Sequence, residues 1–299
     1  MKVLVTGSSG LVGKALVQRL TAEGHGVARL VRTPPRDPQS EFPWDPAGGR
    51  LDPGVLEGQD AVVHLAGENI SGGRWTAARR ERIRASRVDS TRLLAQALAG
   101  LRRKPGVLVC ASAIGYYGDR GDELLSEESG PGAGFLPDVC RAWESASRDA
   151  EAAGIRVVRM RIGVVLSGGG GALPRMLTPF KLGLGGRLGT GRQFMSWVAL
   201  ADLAAALTVA LADDRLQGPV NAVAPFPVTN AEFTRVLARV LARPALFPAP
   251  AFALRLLLGQ MADELLLAST RVVPRKLKEA GFQYRHPDLE GALKAALGA

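Results

Sequence analysis

Residues 1–20 read MKVLVTGSSGLVGKALVQRL. Lys2 to Thr6 is a short run dominated by Val and Leu, the composition of a strand buried on both faces, as parallel sheets require. Three glycines follow, Gly7, Gly10 and Gly13, spaced GxxGxxG. Beyond them Val12, Leu16 and Leu20 recur at i, i+4 and i+8, the apolar stripe of a helix that Gly24 is placed to stop. The glycines therefore stand where a strand hands over to a helix.

That position has a chemical use. Glycine permits a tight turn, lets backbone N–H groups approach a pyrophosphate, and lets the helix pack closely on the strand. The free N–H groups and the dipole of the helix start then favour the phosphate charge. A glycine-rich turn without a ligand has the same letters, but the strand before it and the helix after it favour a dinucleotide site. The expected contacts are Gly7, Ser9, Gly10, Leu11, Val12 and Gly13.

Val27 to Arg32, VARLVR, reads as the second strand. A site that prefers NAD places Asp or Glu at the end of this strand to hold the ribose hydroxyls. No acid occurs between Glu23 and Asp37, and Arg29 and Arg32 stand there instead. Three residues apart on a strand, they point to opposite faces, so one of them serves. Arg32, at the strand's end, is the candidate for a 2′-phosphate, which a guanidinium meets with paired hydrogen bonds. NADP is favoured over NAD, the competing reading being a surface arginine.

Thr33 to Gly58 carries six prolines and is mostly loop, with Trp44 read as a buried plug. Ala61 to Leu65, AVVHL, is the next strand. Leu65, Ala66 and Gly67 close it, and small residues at a strand's carboxyl end fit a backbone passing close to the cofactor. His64 precedes that end and reads as a packed core histidine rather than a base. Trp75 to Leu98 is a long charged helix, and Gly106 to Ser112 another buried strand, which delivers Ser112 and AIGYYGDRG to the edge where chemistry occurs. A tyrosine can protonate a carbonyl once a nearby cation lowers its pKa, so Tyr117, oriented by Ser112, is a candidate catalytic acid, the alternative being that Tyr116 and Tyr117 only pack the loop.

The helix Phe135 to Ala152 leads into IRVVRMRIGVVL, residues 155–166, read as a single strand. Its Arg159 and Arg161 face an anionic substrate or are matched by carboxylates at the sheet rim. From Ser167 the chain turns glycine-rich, SGGGG and then GLGGRLGTGRQ, a composition that suits a lid, with Arg187 and Arg192 as candidate ligands for phosphate or carboxylate. Leu254, Leu257 and Leu258 form a stripe expected to pack on the sheet domain.

The glycine spacing resembles the TGxxGxxG of extended short-chain dehydrogenases/reductases. Together with ASAIGYYG, FLPDVCRAWE, LGLGGRLGTGRQFMSW, NAVAPFPVTNAEF and the C-terminal LLLGQMADELLLASTRVVPRKLKEAGFQYRHPDLEGAL, it resembles the atypical, epimerase-like members of that group over essentially the whole chain. The resemblance implies a nicotinamide cofactor, a Rossmann domain and a family-specific C-terminal region. It also exposes departures. The superfamily's Tyr-x-x-x-Lys, counted back from Glu144, falls on Leu136 and Cys140, and its Ser/Thr on Ala113 or, shifted by one, Ser112. Leu has no proton to give and Cys supplies no fixed positive charge, so these two positions do not supply the superfamily's ordinary proton donor and cation.

Composition bounds the remaining classes. A chain of 299 residues with 46% hydrophobic content can bury a sizeable core. No run approaches the roughly 20 apolar residues of a membrane span, and MKVLVTG enters a strand directly rather than forming a secretory leader; the expected location is the cytoplasm. Two cysteines and three scattered histidines lack metal-ligand spacing. The net charge of +10 raises nucleic-acid binding, yet the seven arginines from Arg74 to Arg92 read as a solvated helix face and 5% aromatic content offers little for base stacking. The expectation is therefore an α/β protein: a doubly wound parallel sheet over 1–165, then a smaller, mostly helical substrate region over 166–299. The expected activity is that of an NADP-dependent oxidoreductase or epimerase-like enzyme on a small molecule, with nucleotide-sugar-like and anionic substrates as candidates, and the expected state is monomer or homodimer. The rivals are a non-catalytic NADP-binding sensor or scaffold and a basic nucleic-acid binder.

Overall fold

The computed structural model describes residues 1–298. In chain order the first elements are β1 (Lys2–Thr6), α1 (Leu11–Ala22), β2 (Gly26–Val31), β3 (Glu41–Pro43), β4 (Ala61–His64), α2 (Ala77–Ala99) and β5 (Val107–Ala113). There follow β6 (Leu124–Leu125), α3 (Phe135–Ser145), α4 (Arg148–Ala152), β7 (Arg156–Ile162), β8 (Val164–Leu166), α5 (Leu173–Lys181), β9 (Phe194–Met195), β10 (Trp197–Ala199), α6 (Leu200–Ala212) and β11 (Gly218–Ala222). The chain ends with β12 (Val228–Thr229), α7 (Asn230–Val240), α8 (Ala251–Leu258), a π-helical turn Ala262–Leu267, β13 (Arg271–Val272), α9 (Arg275–Glu279) and α10 (Leu289–Leu297).

Seven strands form one sheet in the order β11-β7-β5-β4-β1-β2-β3, every pair parallel. This is the doubly wound α/β architecture expected from the sequence. Strand alternation sorts the core into two layers. Val3, Val5, Val63, Val107 and Val109 pack with Leu16 and Leu20 of α1 and Leu203 and Leu207 of α6. Leu4, Val62, Leu108 and Cys110 face the other way, onto Leu94, Ala95 and Leu98 of α2. Each fully buried Val or Leu contributes roughly 1.5–3 kcal/mol, so the two layers hold the sheet flat against its helices. The strand order reverses between β1 and β4, and at such a point a crevice opens outside the strands' carboxyl ends.

The structure departs from the sequence reading in four places. A division at residue 165 does not match the topology, because α6 covers the sheet and β11 forms its edge. The run 155–166 is two strands broken at Gly163, with β8 pairing to β10 in a separate small sheet. A Cβ at Gly163 would lie 2.7 Å from the Ser196 carbonyl oxygen and 2.8 Å from Val223, so the two sheets meet where only glycine fits. The run 135–152 is likewise two helices, because the Ser147 hydroxyl and the Arg159 Nε both donate to the Glu144 carbonyl and draw it out of the helical ladder. Finally, α8 buries none of its residues, and Leu257 is 68% exposed rather than packed on the sheet. Among the described residues no helix is long and apolar enough to cross a membrane.

The remaining C-terminal elements build a third core around Trp197, Phe233, Phe180 and Leu293. They are tied to the first part of the chain at α3: the Glu264 carboxylate, from the π-helical turn, accepts from Phe135 N at 3.1 Å and Leu136 N at 2.7 Å.

Candidate functional site

Gly7 leaves β1 with φ +68°, a conformation side-chain-bearing residues seldom adopt. A Cβ there would stand 2.7 Å from the Leu65 carbonyl and 2.8 Å from Ala66 N, and one at Gly13 would stand 2.2 Å from the Gly7 oxygen. The absent side chains thus bring the β1 turn, the first turn of α1 and the exit of β4 into backbone contact. Gly10 caps α1 without a side-chain bond, and the first turn holds no acid. The N–H groups of Leu11, Val12 and Gly13 meet no acceptor among the described residues. Unpaired donors are normal at a helix start; here Gly10 N donates to Gly7 O at 3.0 Å, which leaves these three, with no acid in the first turn to compete for them.

Thr6 fixes the floor of this cradle. Its hydroxyl accepts from Leu65 N and Ala66 N, both at 3.2 Å, and lies 2.7 Å from His64 Nδ1. With Thr6 donating to Nδ1, the proton of His64 sits on Nε2, which faces the Ser90 hydroxyl at 3.2 Å. Burial pushes His64 down to about 4, so it is neutral, and it stacks edge-on to the buried Trp44 at 6.0 Å. His64 is the packed core histidine, and Trp44 the buried plug, that the sequence suggested.

Arg29 and Arg32 separate as strand geometry requires. Arg29 pairs with Glu41 on the neighbouring strand at 3.3 Å, whereas Arg32, just past β2, is exposed and makes no hydrogen bond or ion pair among the described residues.

On the other side of β1 lies a charge network. Arg161 of β7 is 3% exposed and grips Glu144 of α3 with two bonds, Nε to Oε1 at 2.8 Å and Nη2 to Oε2 at 2.9 Å. Ser112 donates to the same Oε1 at 2.8 Å. Arg161 Nη1 donates to the Tyr117 hydroxyl at 3.0 Å, and that hydroxyl reaches Asn221 Oδ1 at 2.7 Å and the Ser126 carbonyl at 2.9 Å. The guanidinium also lies 3.5 Å from the Tyr116 ring centroid. Arg159, two residues earlier on the same face of β7, pairs with Glu151. Carboxylates at the sheet rim therefore match both strand arginines.

These features place the chain among known proteins. The model of the NAD dependent epimerase/dehydratase family matches residues 3–223, and a domain of unknown function, DUF1731, matches 249–296. The chain belongs to the NAD dependent epimerase/dehydratase family. Relatives at full length include an epimerase family protein of Mycobacterium bovis, Mb2239, 45% identical over 291 residues, 97% of this chain and 96% of that one. The human epimerase family protein SDR39U1 is 38% identical over 298 residues, 98% of this chain and 99% of its own. A crystal structure of human SDR39U1, isoform 2, solved with NADPH, superposes with a TM-score of 0.91 at 37% identity, covering 100% of both chains.

Against the habits of the wider superfamily, this epimerase-family site departs where proton chemistry is done. Leu136 and Cys140, at the Tyr and Lys positions, are both buried. Leu136 joins an apolar cluster with Trp75, Ile83 and Met261, and Cys140 is pushed up to about 12 by burial. A cation does stand beside Tyr117, as a tyrosine acid requires, without lowering its pKa. Arg161 is there, but the ring is fully buried, desolvation outweighs the cation, and Tyr117 is pushed up to about 12. Its hydroxyl and that of Ser112, itself 3% exposed, are spent on protein partners. Arg187 and Arg192 are exposed on the glycine-rich segment without ion pairs among the described residues.

No local signal in the sequence marks Glu144, Asn221, Glu264 or Arg87 as site residues. Glu144 stands there only as a position to count from, and Arg87 is one of seven arginines on a charged helix. Nothing local separates it from its neighbours, of which Arg82 and Arg92 point outward to Glu68 and Asp89.

Proposed function

We propose that this epimerase-family chain binds NADP(H) across the end of β1 and catalyses hydride transfer to or from a hydroxyl or carbonyl of a small molecule. One observation carries the cofactor: a side-chain-free backbone cradle at Gly7 and Gly13, its helix N–H groups unpaired, stands beside an exposed Arg32 with no carboxylate at the β2 end. That donor set suits a pyrophosphate and a 2′-phosphate, and the relative solved with NADPH supports it. When bound, the nicotinamide supplies or accepts the hydride.

The protein's own part is positional. Gly7, Ser9, Gly10, Leu11, Val12 and Gly13 hold the pyrophosphate by backbone. Arg32 selects the 2′-phosphate. Leu65, Ala66 and Gly67 form the wall along which the dinucleotide runs. The Ser112–Glu144–Arg161–Tyr117 network holds the β5 exit rigid beneath the reacting end. Arg187 and Arg192 favour an anionic substrate. A second reading, a nucleotide-binding protein without turnover, is favoured by Leu136 and Cys140 and by the sealed Tyr117 hydroxyl.

Titration of the purified protein with NADPH and with NADH, followed by nicotinamide fluorescence, tests the cofactor. NADPH binds tighter, and Arg32→Ala removes the preference; equal binding, or none, overturns the assignment. Substrate-dependent change in nicotinamide absorbance separates enzyme from sensor.

A further inference from the structure

Arg87 of α2 turns inward, towards the exit of β4. Its guanidinium lies against Gly67, where a Cβ would stand 3.5 Å from Cζ and 3.6 Å from Nη2. Nη2 donates to the Glu68 carbonyl at 3.0 Å, while Nη1 donates to Ile83 O at 3.1 Å and to Ser86 Oγ at 3.4 Å. The plane rests over the indole of Trp143, 5.1 Å from its centroid. Ser90, less than one turn further along α2, touches His64, the last residue of β4. Arg87 therefore stands level with the residues just past the strand's carboxyl end. A guanidinium carries five donors. Nε and one Nη2 hydrogen of Arg87 take no acceptor among the described residues.

Its place in the sheet says which ligand it faces. A dinucleotide with its pyrophosphate over the Gly7–Gly13 turn spans the switch point at β1. Arg32 lies on the β2 side, where the 2′-phosphate and adenosine half belong. Gly67 and Arg87 lie on the β4 and β5 side, which leaves them the nicotinamide-ribose half. Cys140, where the superfamily has its Lys, is on α3 three residues before Trp143, the ring under Arg87. Arg87 also opposes the desolvation of the Cys140 thiol, as a cation close to it must.

We propose that Arg87 is a cofactor-binding residue that hydrogen-bonds the nicotinamide-ribose half of NADP(H), supplying from α2 the fixed cation that the Lys position on α3 lacks in this chain. The proposal rests on the NADP(H) reading above. It assigns the two arginines to opposite halves of one ligand, Arg32 to the adenosine 2′-phosphate and Arg87 to the far ribose.

The test compares two probes on the full-length protein, NADPH and adenosine 2′,5′-bisphosphate, which carries the 2′-phosphate half without the nicotinamide riboside. Arg87→Gln weakens NADPH by about tenfold or more, the scale of a lost charged hydrogen bond, and leaves the bisphosphate within about twofold. Arg87→Lys keeps the charge and recovers part of the NADPH affinity, with circular dichroism matching the parent protein. Arg32→Ala weakens both probes. Unchanged NADPH affinity in Arg87→Gln overturns the proposal. So does an equal loss for both probes, because Arg87 then acts only by holding the Gly67–Glu68 backbone. Wild-type protein that binds neither probe overturns the NADP(H) reading itself, an outcome read from the unmutated chain alone.

Discussion

Arg161 and Glu144 join β7 to α3 through a two-bond pair, 2.8 and 2.9 Å, with Arg161 only 3% exposed. A buried guanidinium is tolerated because its donors are matched, by Glu144 on one edge and by Tyr117 on the other. The Ser112 hydroxyl at the end of β5 joins the pair, donating to Glu144 Oε1 at 2.8 Å.

Removing one partner leaves the other charge buried and alone. Glu144→Ala is expected to lower stability by about 3–5 kcal/mol, the usual loss for breaking a buried ion pair. Urea denaturation followed by circular dichroism reads it as a fall in midpoint at constant slope. A change below about 1 kcal/mol would show that Arg161 is hydrated in solution and the pair is not a structural element.

Tyr117→Phe removes a donor from Asn221 Oδ1 and Ser126 O and an acceptor from Arg161. The expected loss is about 1–3 kcal/mol of stability with NADPH affinity unchanged, since the hydroxyl serves buried protein groups. Parallel unfolding and fluorescence titrations check both halves. A stable variant that loses substrate turnover would instead return Tyr117 to the role of acid.

His64 gives the acid limb of the stability profile. Its folded pKa, about 4, lies below the ordinary 6.5. The unfolded chain therefore binds the proton first, so the stabilisation is complete above pH 6.5 and is lost as pH falls towards 4. The loss approaches about 3 kcal/mol at the low end. Unfolding midpoints across that window, compared with His64→Asn, should show a shallower slope in the variant.

The alkaline limb has the opposite sign. Cys110 and Cys140 are pushed from 9.0 up to about 12, and Tyr117 from 10.0 up to about 12, in each case chiefly by burial. The unfolded chain releases these protons first, so stability present below pH 9 is lost as pH rises through 12. Both thiols should also react slowly with a thiol reagent in the native protein and at once in urea.

Gly13→Ala places a methyl 2.2 Å from the Gly7 oxygen. Relief requires the β1 turn to move, at a cost of roughly 1–3 kcal/mol, and a displaced turn no longer presents its N–H groups. NADPH affinity is expected to fall by roughly tenfold to a hundredfold, read by the same fluorescence titration.

Much of this molecule was legible in its letters. The Val and Leu run of Lys2–Thr6, the positions of Gly7 and Gly13, the missing acid after β2 and the neutral burial of His64 are local matters. Strand periodicity, turn sterics and the chemistry of a phosphate decide them within a few residues. The tertiary structure decided what depends on distant partners. Gly163 breaks a strand because Ser196 and Val223 crowd it. Residues 218–222 return to the sheet edge beside β7. Arg87 faces inward because Trp143 and the Glu68 carbonyl receive it. Tyr117 and Arg161 lie 44 residues apart, and whether the cation or the desolvation wins at that phenol is settled by how completely other elements exclude water from it, a quantity no short stretch of sequence contains.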